Sequence, residues 1–411
     1  MDFSLWRKIA GFLGLNKNIV GLLLMVVLVG LGERMAERFL PIYLMALGGG
    51  AMTIGLLGGL TNLISALYSF PGGYLSDRLG YKKALLIFNL ISLVGYGIVI
   101  IFPYWQAVII GALFFLAWSA ISLPATMSLV SDVLPQDKRT MGVTLHSLVR
   151  RVPMALGPIF GGVLIGIYGE KDGVRLAFAV AFLLGIASII LQQKMIVADS
   201  PKGQEEKRPS RLWRYMSPAL RSLLISDVLI RFAEQIPYAF VVVWCIKYNG
   251  ITATRFGLLT AIEMITAVLV YIPVAWLADR STKKPFVVIT FINFTLFPLI
   301  ILFAHSFWMM VVVFIIRGLK EFGEPTRKAL IMDLAPEGKK AGMFGLYYLI
   351  RDVIVSVAAF GGAFLWEISP QVNFLMAFAC GVAGTIYFLI FCRDFKLFLL
   401  HISRSRRAYA R

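Results

Sequence analysis

The chemistry of this 411-residue chain is concentrated in eighteen ionisable side chains that interrupt long apolar stretches. Ten are basic: Arg34, Arg38, Arg150, Arg151, Arg231, Arg317, Lys320, Arg327, Lys328 and Arg351. Eight are acidic: Glu33, Glu37, Asp227, Glu234, Glu263, Glu321, Glu324 and Asp352. Carboxylates set among guanidiniums can take up and release protons, because burial favours the neutral acid and a nearby cation favours the charged one. The same groups can grip an ionic solute. Glu33 and Glu37 lie one turn apart beside Arg34 and Arg38, and Glu37 is the first expected proton site, with Glu33, Glu234 and Glu263 as the others. Glu263 has no basic residue within four positions, so it is expected to be unpaired and protonated. Arg34, Arg38, Arg150, Arg151, Arg231, Lys320, Glu321, Glu324, Arg351 and Asp352 are the expected solute contacts. Neighbours on a helix point about 100° apart, so only one of Arg150 and Arg151 is expected to face a cavity. His146, one turn from Arg150, reads as a structural histidine.

Enzymatic signatures are absent. No P-loop, dinucleotide motif or Cys/His metal spacing occurs, and the three histidines are scattered at 146, 305 and 401. No catalytic residue, no metal and no cofactor is expected beyond a coupling ion, H+.

The elements that carry these charges follow from composition. Hydrophobic residues make up 59% and charged residues 15%, against about 45–50% and 25% in soluble domains; mean hydropathy is +0.81. That balance excludes a soluble enzyme, a disordered tail protein and a secreted disulfide scaffold. The cysteines, Cys245, Cys380 and Cys392, are odd in number, and no disulfide framework is expected. Continuous apolar runs too long for barrel strands predict twelve transmembrane helices, at 17–44, 52–76, 82–101, 104–133, 138–168, 173–193, 218–247, 254–279, 285–304, 306–334, 339–367 and 371–393. We call these spans 1 to 12.

A charge at mid-membrane costs roughly 2.5–3.5 kcal/mol on insertion scales, so the eighteen must pair, line water or bind something. Spacings of three and four predict same-helix pairs: Arg34–Glu37, Asp227–Arg231, Arg231–Glu234, Arg317–Glu321, Lys320–Glu324 and Glu324–Lys328. The remaining basic residues set the topology. With both termini inside, 26 of the 40 lysines and arginines fall in inside segments and 4 outside, as the positive-inside rule requires. The net charge of +18 therefore reads as topology and not as nucleic-acid binding. Residues 1–18 read as a short cytoplasmic tail with an amphipathic stretch and not as a removed signal peptide.

The polar stretch 194–217 divides the chain into a bundle at 1–193 and a bundle with a basic tail at 218–411. The two halves repeat. Gly73-Tyr-Leu-Ser-Asp77-Arg78-Leu-Gly80-Tyr-Lys82-Lys83 recurs as Ala275-Trp-Leu-Ala-Asp279-Arg280-Ser-Thr-Lys283-Lys284. Pro124…Asp132…Pro135 recurs as Pro325…Asp333…Pro336, and Arg34-Met-Ala-Glu37 as Arg231-Phe-Ala-Glu234. The offsets are nearly equal, which indicates duplication. Parallel six-helix repeats place a solute site between them at mid-membrane. Span 4 lacks the chemistry of its partner: Ser119, Ala120 and Leu123 align with Lys320, Glu321 and Glu324.

With these motifs the chain resembles the major facilitator superfamily over its whole length. Gly73-x-x-x-Asp77-Arg78-x-Gly80-x-Lys82-Lys83 matches that family's signature between helices 2 and 3, with Tyr81 where an arginine is common. The resemblance implies an inner gate formed by Gly73, Asp77, Arg78, Gly80 and Lys82, with Asp279 and Arg280 in the repeat. It also implies that spans 1, 7 and 10 line the central cavity. Gly157-Pro158-Ile-Phe-Gly161-Gly162 resembles the core of the family's antiporter motif, a bend in helix 5 whose small residues let helices 5 and 8 approach. Glu33-Arg-Met-Ala-Glu37-Arg38-Phe39 is similar to the E-x-x-E-R-F signature of proton-coupled peptide symporters, one residue longer. Pro41 and Pro237 are expected bending points near the outer ends of spans 1 and 7.

The resulting expectation is an all-α secondary transporter working as a single chain in a cell membrane of bacterial inner-membrane type. It moves a small polar or charged organic solute by proton-coupled alternating access, with export favoured. Ten bases against eight acids lean toward a solute bearing carboxylate or phosphate. The alternatives are proton-linked uptake of a carboxylate- or peptide-like solute and, in another class, a channel or a transport-dead sensor.

Overall fold

The computed structural model describes residues 16–116, 118, 122, 126, 129, 136–197, 213–279, 283–336 and 340–392. Side chains at 69–77, 136–145, 147–148, 271–272, 275–276, 278–279, 325 and 340–342 lie outside that description. The described secondary structure is helical. Span 1 is Lys17–Glu37, interrupted at Arg38 and Phe39 and continued as Leu40–Ala46. Span 2 is Ala51–Leu79, span 3 Tyr81–Ile101, and span 4 opens as Trp105–Phe115. Spans 5 and 6 form one run, Gln136–Met195, divided at Gly169. Span 7, Pro218–Tyr238, bends by 41° into Val241–Tyr248. Spans 8 and 9 are Ala253–Asp279 and Lys284–Ile300. Span 10 comes in pieces, Phe307–Gly318, a tight turn Leu319–Glu321 and Glu324–Leu334. Spans 11 and 12 are Lys340–Ile368 and Pro370–Phe391.

Local sequence explains the boundaries. Asn16, Ser217, Ser306 and Ser369 each accept a hydrogen bond from a backbone N–H three residues on, the N-cap arrangement that satisfies an orphan donor. Gly80 and Gly169 adopt φ of 83° and 81°, a region that L side chains avoid. Gly80 thus makes the turn between spans 2 and 3 inside the Asp-Arg-x-Gly motif, and Gly169 ends span 5. Of the two expected bending points, the one in span 7 coincides with a bend. Pro41 opens the segment after the break in span 1, and Pro237 precedes the 41° bend in span 7. Among the described residues, eight helices are long and apolar enough to cross a bilayer, one of them covering spans 5 and 6, and bent span 7 makes a ninth. Span 10 fails that test as a single helix because its charged middle is broken into turns.

Two six-helix bundles result. Val197 N donates to Asn18 Oδ1 at 2.9 Å, so the start of span 1 and the end of span 6 share one face, the linker face. Toward that face each bundle keeps its own core. Leu22, Met25 and Phe88 belong to one, and Leu220, Phe291 and Phe388 to the other. Toward the far face a joint core spans both bundles, with Phe39 and Tyr43 packed in one apolar cluster with Phe256 and Phe314. Glycines permit this closeness. A Cβ built on Gly55 would lie 2.4 Å from Ala363 Cβ, and one on Gly162 would lie 2.4 Å from the Ala253 carbonyl. One on Gly257 would lie 2.3 Å from the Pro158 carbonyl. Spans 5 and 8 do approach through small residues, as the motif implies. Of the motif's glycines and proline, Gly162 and Pro158 lie at that seam, where Gly166 also meets Thr254. Gly157 and Gly161 press on span 1, with a built Cβ on Gly161 only 2.0 Å from the Met35 carbonyl.

Candidate functional site

The charges gather at mid-membrane around the helix breaks. In the C-terminal bundle they form an unbroken alternating chain. Arg351 lies 3.6 Å from Asp227, which pairs with Arg327 and accepts from the Tyr347 hydroxyl at 3.1 Å. Arg327 holds Glu324 at 2.7 Å, and Glu324 lies 3.4 Å from Arg231. Arg231 donates to Glu234 at 2.7 Å, and Lys320 reaches Glu234 at 2.9 Å and Glu263 at 3.2 Å. Arg317, 3.3 Å from Glu263, ends the chain. Asp227, Arg327 and Glu263 are each at most 1% exposed, so each charge depends on its partner and not on water.

Several pairings differ from the sequence expectation. Glu263 is not unpaired. Its neighbours come from span 10, across the bundle, where spacing along span 8 cannot reveal them. Arg317 does not hold Glu321, nor Lys320 Glu324. The turn at Leu319–Glu321 breaks the helical register that those spacings assume, and Arg317 and Lys320 swing toward span 8. Arg34–Glu37 at 2.5 Å, Arg231–Glu234, Asp227–Arg231 at 4.0 Å and Glu324–Lys328 at 3.6 Å do form.

The N-terminal bundle is sparser. Arg34 holds Glu37 and lies 3.8 Å from Glu33. Arg38 meets no carboxylate among the described residues. It donates to the Tyr238 hydroxyl at 2.7 Å and sits 5.1 Å from that ring's centre. Of the adjacent pair on span 5, Arg151 reaches across to Glu321 at 3.3 Å, whereas Arg150 makes no ion pair with a described residue. Arg351 donates to Asp352 at 2.7 Å. His146 is buried.

Between the bundles lies a cavity of about 210 Å³. Its polar wall is Glu37, Arg38, Thr61, Asn62, Gln235, Tyr238 and Arg317, and Leu40, Leu57, Leu116, Val242 and Phe256 form its apolar wall. Asn62 donates to Gln235 at 3.1 Å, an amide pair bridging spans 2 and 7. Of the expected proton and solute residues, Glu37 and Arg38 line this cavity. Glu234 and Lys320 line a small pocket beside it, and Arg317 lines both. Asn62, Gln235 and Tyr238 were not expected. The first two are polar residues in apolar spans and were legible on that ground. Tyr238 carries no signal in an aromatic-rich sequence. Of the expected gate, Arg78 is exposed and Lys82 donates to the Gln193 carbonyl at 3.1 Å. The Asp77 and Asp279 side chains, all of Arg280, and Ser119, Ala120 and Leu123 of span 4 lie outside the described residues.

Comparison with known proteins agrees with this architecture. The family model for the Major Facilitator Superfamily matches residues 22–246 and again 223–397. An uncharacterised transporter of that type from Methanocaldococcus jannaschii is 22% identical over 88% of this chain and 91% of its own. The quinolone resistance protein NorA of Staphylococcus aureus is 23% identical over 92% of this chain and 97% of its own. Among solved structures, the nucleoside transporter NupG superposes with a TM-score of 0.79 at 12% identity, covering 92% of this chain and all of that one. A peptide transporter superposes with 0.73 at 14%, covering 90% and 93%. Twelve helices in two pseudo-symmetric bundles around a central polar cavity, matched twice by one family model, make this chain a member of the Major Facilitator Superfamily and a membrane transporter rather than an enzyme.

Proposed function

We propose that the chain is a proton-coupled secondary transporter that moves a small polar or charged organic solute by alternating access, with export in exchange for protons as its direction. One observation carries this reading: the cavity between the bundles has a carboxylate, Glu37, in its wall, held by a single arginine that has a second carboxylate in reach. Arg34 lies 2.5 Å from Glu37 and 3.8 Å from Glu33. Protonating Glu37 releases Arg34 to Glu33, so proton binding and a local rearrangement are one event. Glu234 and Glu263 are each held by two cations and are poorer exchange sites on that account. The excess of basic residues in the segments expected inside supports a cytoplasmic linker face. The joint core then seals the external side. Glycine contacts at that seam, Gly162 on Ala253 and Gly55 on Ala363, mark the surfaces that must part when the carrier turns outward. NorA, similar over nearly its whole length, is named for quinolone resistance, which accords with export.

The amide pair Asn62–Gln235 favours a second reading, proton-linked uptake of a carboxylate- or peptide-like solute, because paired amides can match a substrate's own amide. Liposomes holding a pH dye separate the two. Pooled organic anions, amino acids, peptides and cationic drugs are added outside. Alkalinisation of the lumen indicates exchange, and acidification indicates symport. Glu37→Gln abolishes either signal while leaving exchange of labelled for unlabelled solute intact. A Glu37→Gln protein that moves protons like the parent overturns the assignment. A protein that conducts without exchange is a channel.

A further inference from the structure

We infer that the cavity recognises an organic anion, whose oxyanion group docks on Arg38 beside the Tyr238 hydroxyl while its apolar body lies against Leu57, Val242 and Phe256. The inference rests on the carrier reading and adds the class of solute. It begins from charge pairing. Three charged side chains face the cavity: Glu37, Arg38 and Arg317. Glu37 is neutralised by Arg34 at 2.5 Å, and Arg317 by Glu263 at 3.3 Å. Arg38 is left. Among the described residues its one hydrogen-bond partner is a neutral phenol.

A cation at mid-membrane without a counterion is unfavourable, and a guanidinium offers five donors in a planar fork. The Tyr238 contact uses one of them. The rest suit a carboxylate, phosphonate or sulfonate, which a guanidinium binds in bidentate fashion. Tyr238 holds the fork in place. Arg38 lies 5.1 Å and Arg317 5.6 Å from its ring centre, so one aromatic ring meets two guanidiniums, an arrangement whose cation–π attraction fixes both. The position is also mechanically apt. Arg38 sits at the break in span 1, and Tyr238 is the last residue of Pro218–Tyr238, just before the bend in span 7. An anion bound there touches both bundles at the points where their helices flex. The apolar wall excludes a bare inorganic ion as the favoured ligand, because such an ion loses its hydration and gains no apolar contact.

The test compares benzoate, 1-naphthoate and indole-3-acetate, each with its own primary amide, as ligands of the full-length protein in neutral detergent. Each pair keeps the apolar body and changes only the charge. A ligand that binds the folded state raises the melting temperature in proportion to its affinity. The expected result is that the acids stabilise more than their amides, with 1-naphthoate and indole-3-acetate ahead of benzoate. Arg38→Gln reduces the acid-over-amide preference about tenfold or more, equal to 1.4 kcal/mol. Arg38→Lys keeps the charge and retains part of the preference, which shows that loss in the glutamine variant is not misfolding. Amides matching their acids, no response to any of the six compounds, or an Arg38→Gln protein that prefers acids like the parent would each overturn the inference. The carrier reading stands apart, because the liposome assay uses the mixed solute pool. A protein that exchanges solute but shows no acid preference loses the anion site and keeps the carrier reading. One that binds acids through Arg38 yet exchanges nothing keeps the site and loses the carrier reading.

Discussion

Asp227, Glu234, Glu263 and Glu324 of the C-terminal bundle each lie within 4.0 Å of at least two lysines or arginines of the same bundle. At mid-membrane in the N-terminal bundle, four arginines face two glutamates. Arg34 has the nearby acids, Arg151 reaches Glu321 across the interface, and Arg38 and Arg150 have no carboxylate partner among the described residues. The two bundles descend from one repeat, yet one has closed its charges into a chain of pairs and the other leaves Glu37 and Arg38 in the cavity wall, Arg38 without a carboxylate partner among the described residues. A closed chain of buried ions is rigid, because moving any member exposes another unpaired. An open set can exchange partners, which is what binding and coupling require.

The largest effect should come from breaking the closed chain. Asp227 is the acceptor for Arg327 and the Tyr347 hydroxyl and a neighbour of Arg351. Asp227→Asn breaks a buried ion pair and leaves Arg327 with Glu324 as its one carboxylate among the described residues, at a cost of about 3–5 kcal/mol. The expected readout is loss of monodisperse protein after extraction, or a large drop in melting temperature. Arg150→Gln removes a charge that pairs with no described acid, so it should not lower stability. If the two variants melt alike, the contrast between bundles has no energetic content.

A second contrast lies within the glycines. Gly162→Ala would push a methyl into the Ala253 carbonyl, with its Cβ at 2.4 Å, whereas Gly345 has nothing within 4 Å of a built Cβ. Overpacking at a tight seam costs about 1–3 kcal/mol. Here the cost falls on the state whose far face is sealed, since the two atoms belong to different bundles. Gly162→Ala should slow solute exchange several-fold while Gly345→Ala exchanges like the parent. Equal rates would mean that the seam between spans 5 and 8 does not limit the cycle.

Most of the fold was legible in the sequence, because apolar run length, Gly80, Gly169 and the serine caps act locally. The duplication was legible too, and it located the charged middles of spans 1, 7 and 10. The partners were not. Spacing along a helix identified Arg34–Glu37 and Arg231–Glu234, which lie on regular helix. It failed for Arg317 and Lys320, where Gly318 and Gly323 bracket a turn and the partners come from spans 7 and 8. Tyr238 stayed invisible for a different reason. Its role comes from where a bent helix places a phenol between two arginines, and no residue type encodes that placement.

The smallest effect concerns the far face, where Lys247 donates to Glu170 at 2.7 Å across the two bundles. Both side chains are substantially exposed, at 37% and 27%, so the pair is worth about 0.2–1 kcal/mol and is screened by salt. Lys247→Ala should therefore leave the melting temperature almost unchanged. The residues come together only while the far face is closed, so even this small energy falls on one side of a two-state balance. A loss of up to 1 kcal/mol shifts that balance up to about fivefold toward the open far face. A distance between fluorophores on the two bundles at that face should lengthen in Lys247→Ala. It should lengthen in the parent as salt is raised, and respond less to salt in the variant. A variant that keeps the parent's distance and salt response would show that the joint apolar core alone holds the far side shut, and that no part of the cycle is set by charge outside the membrane.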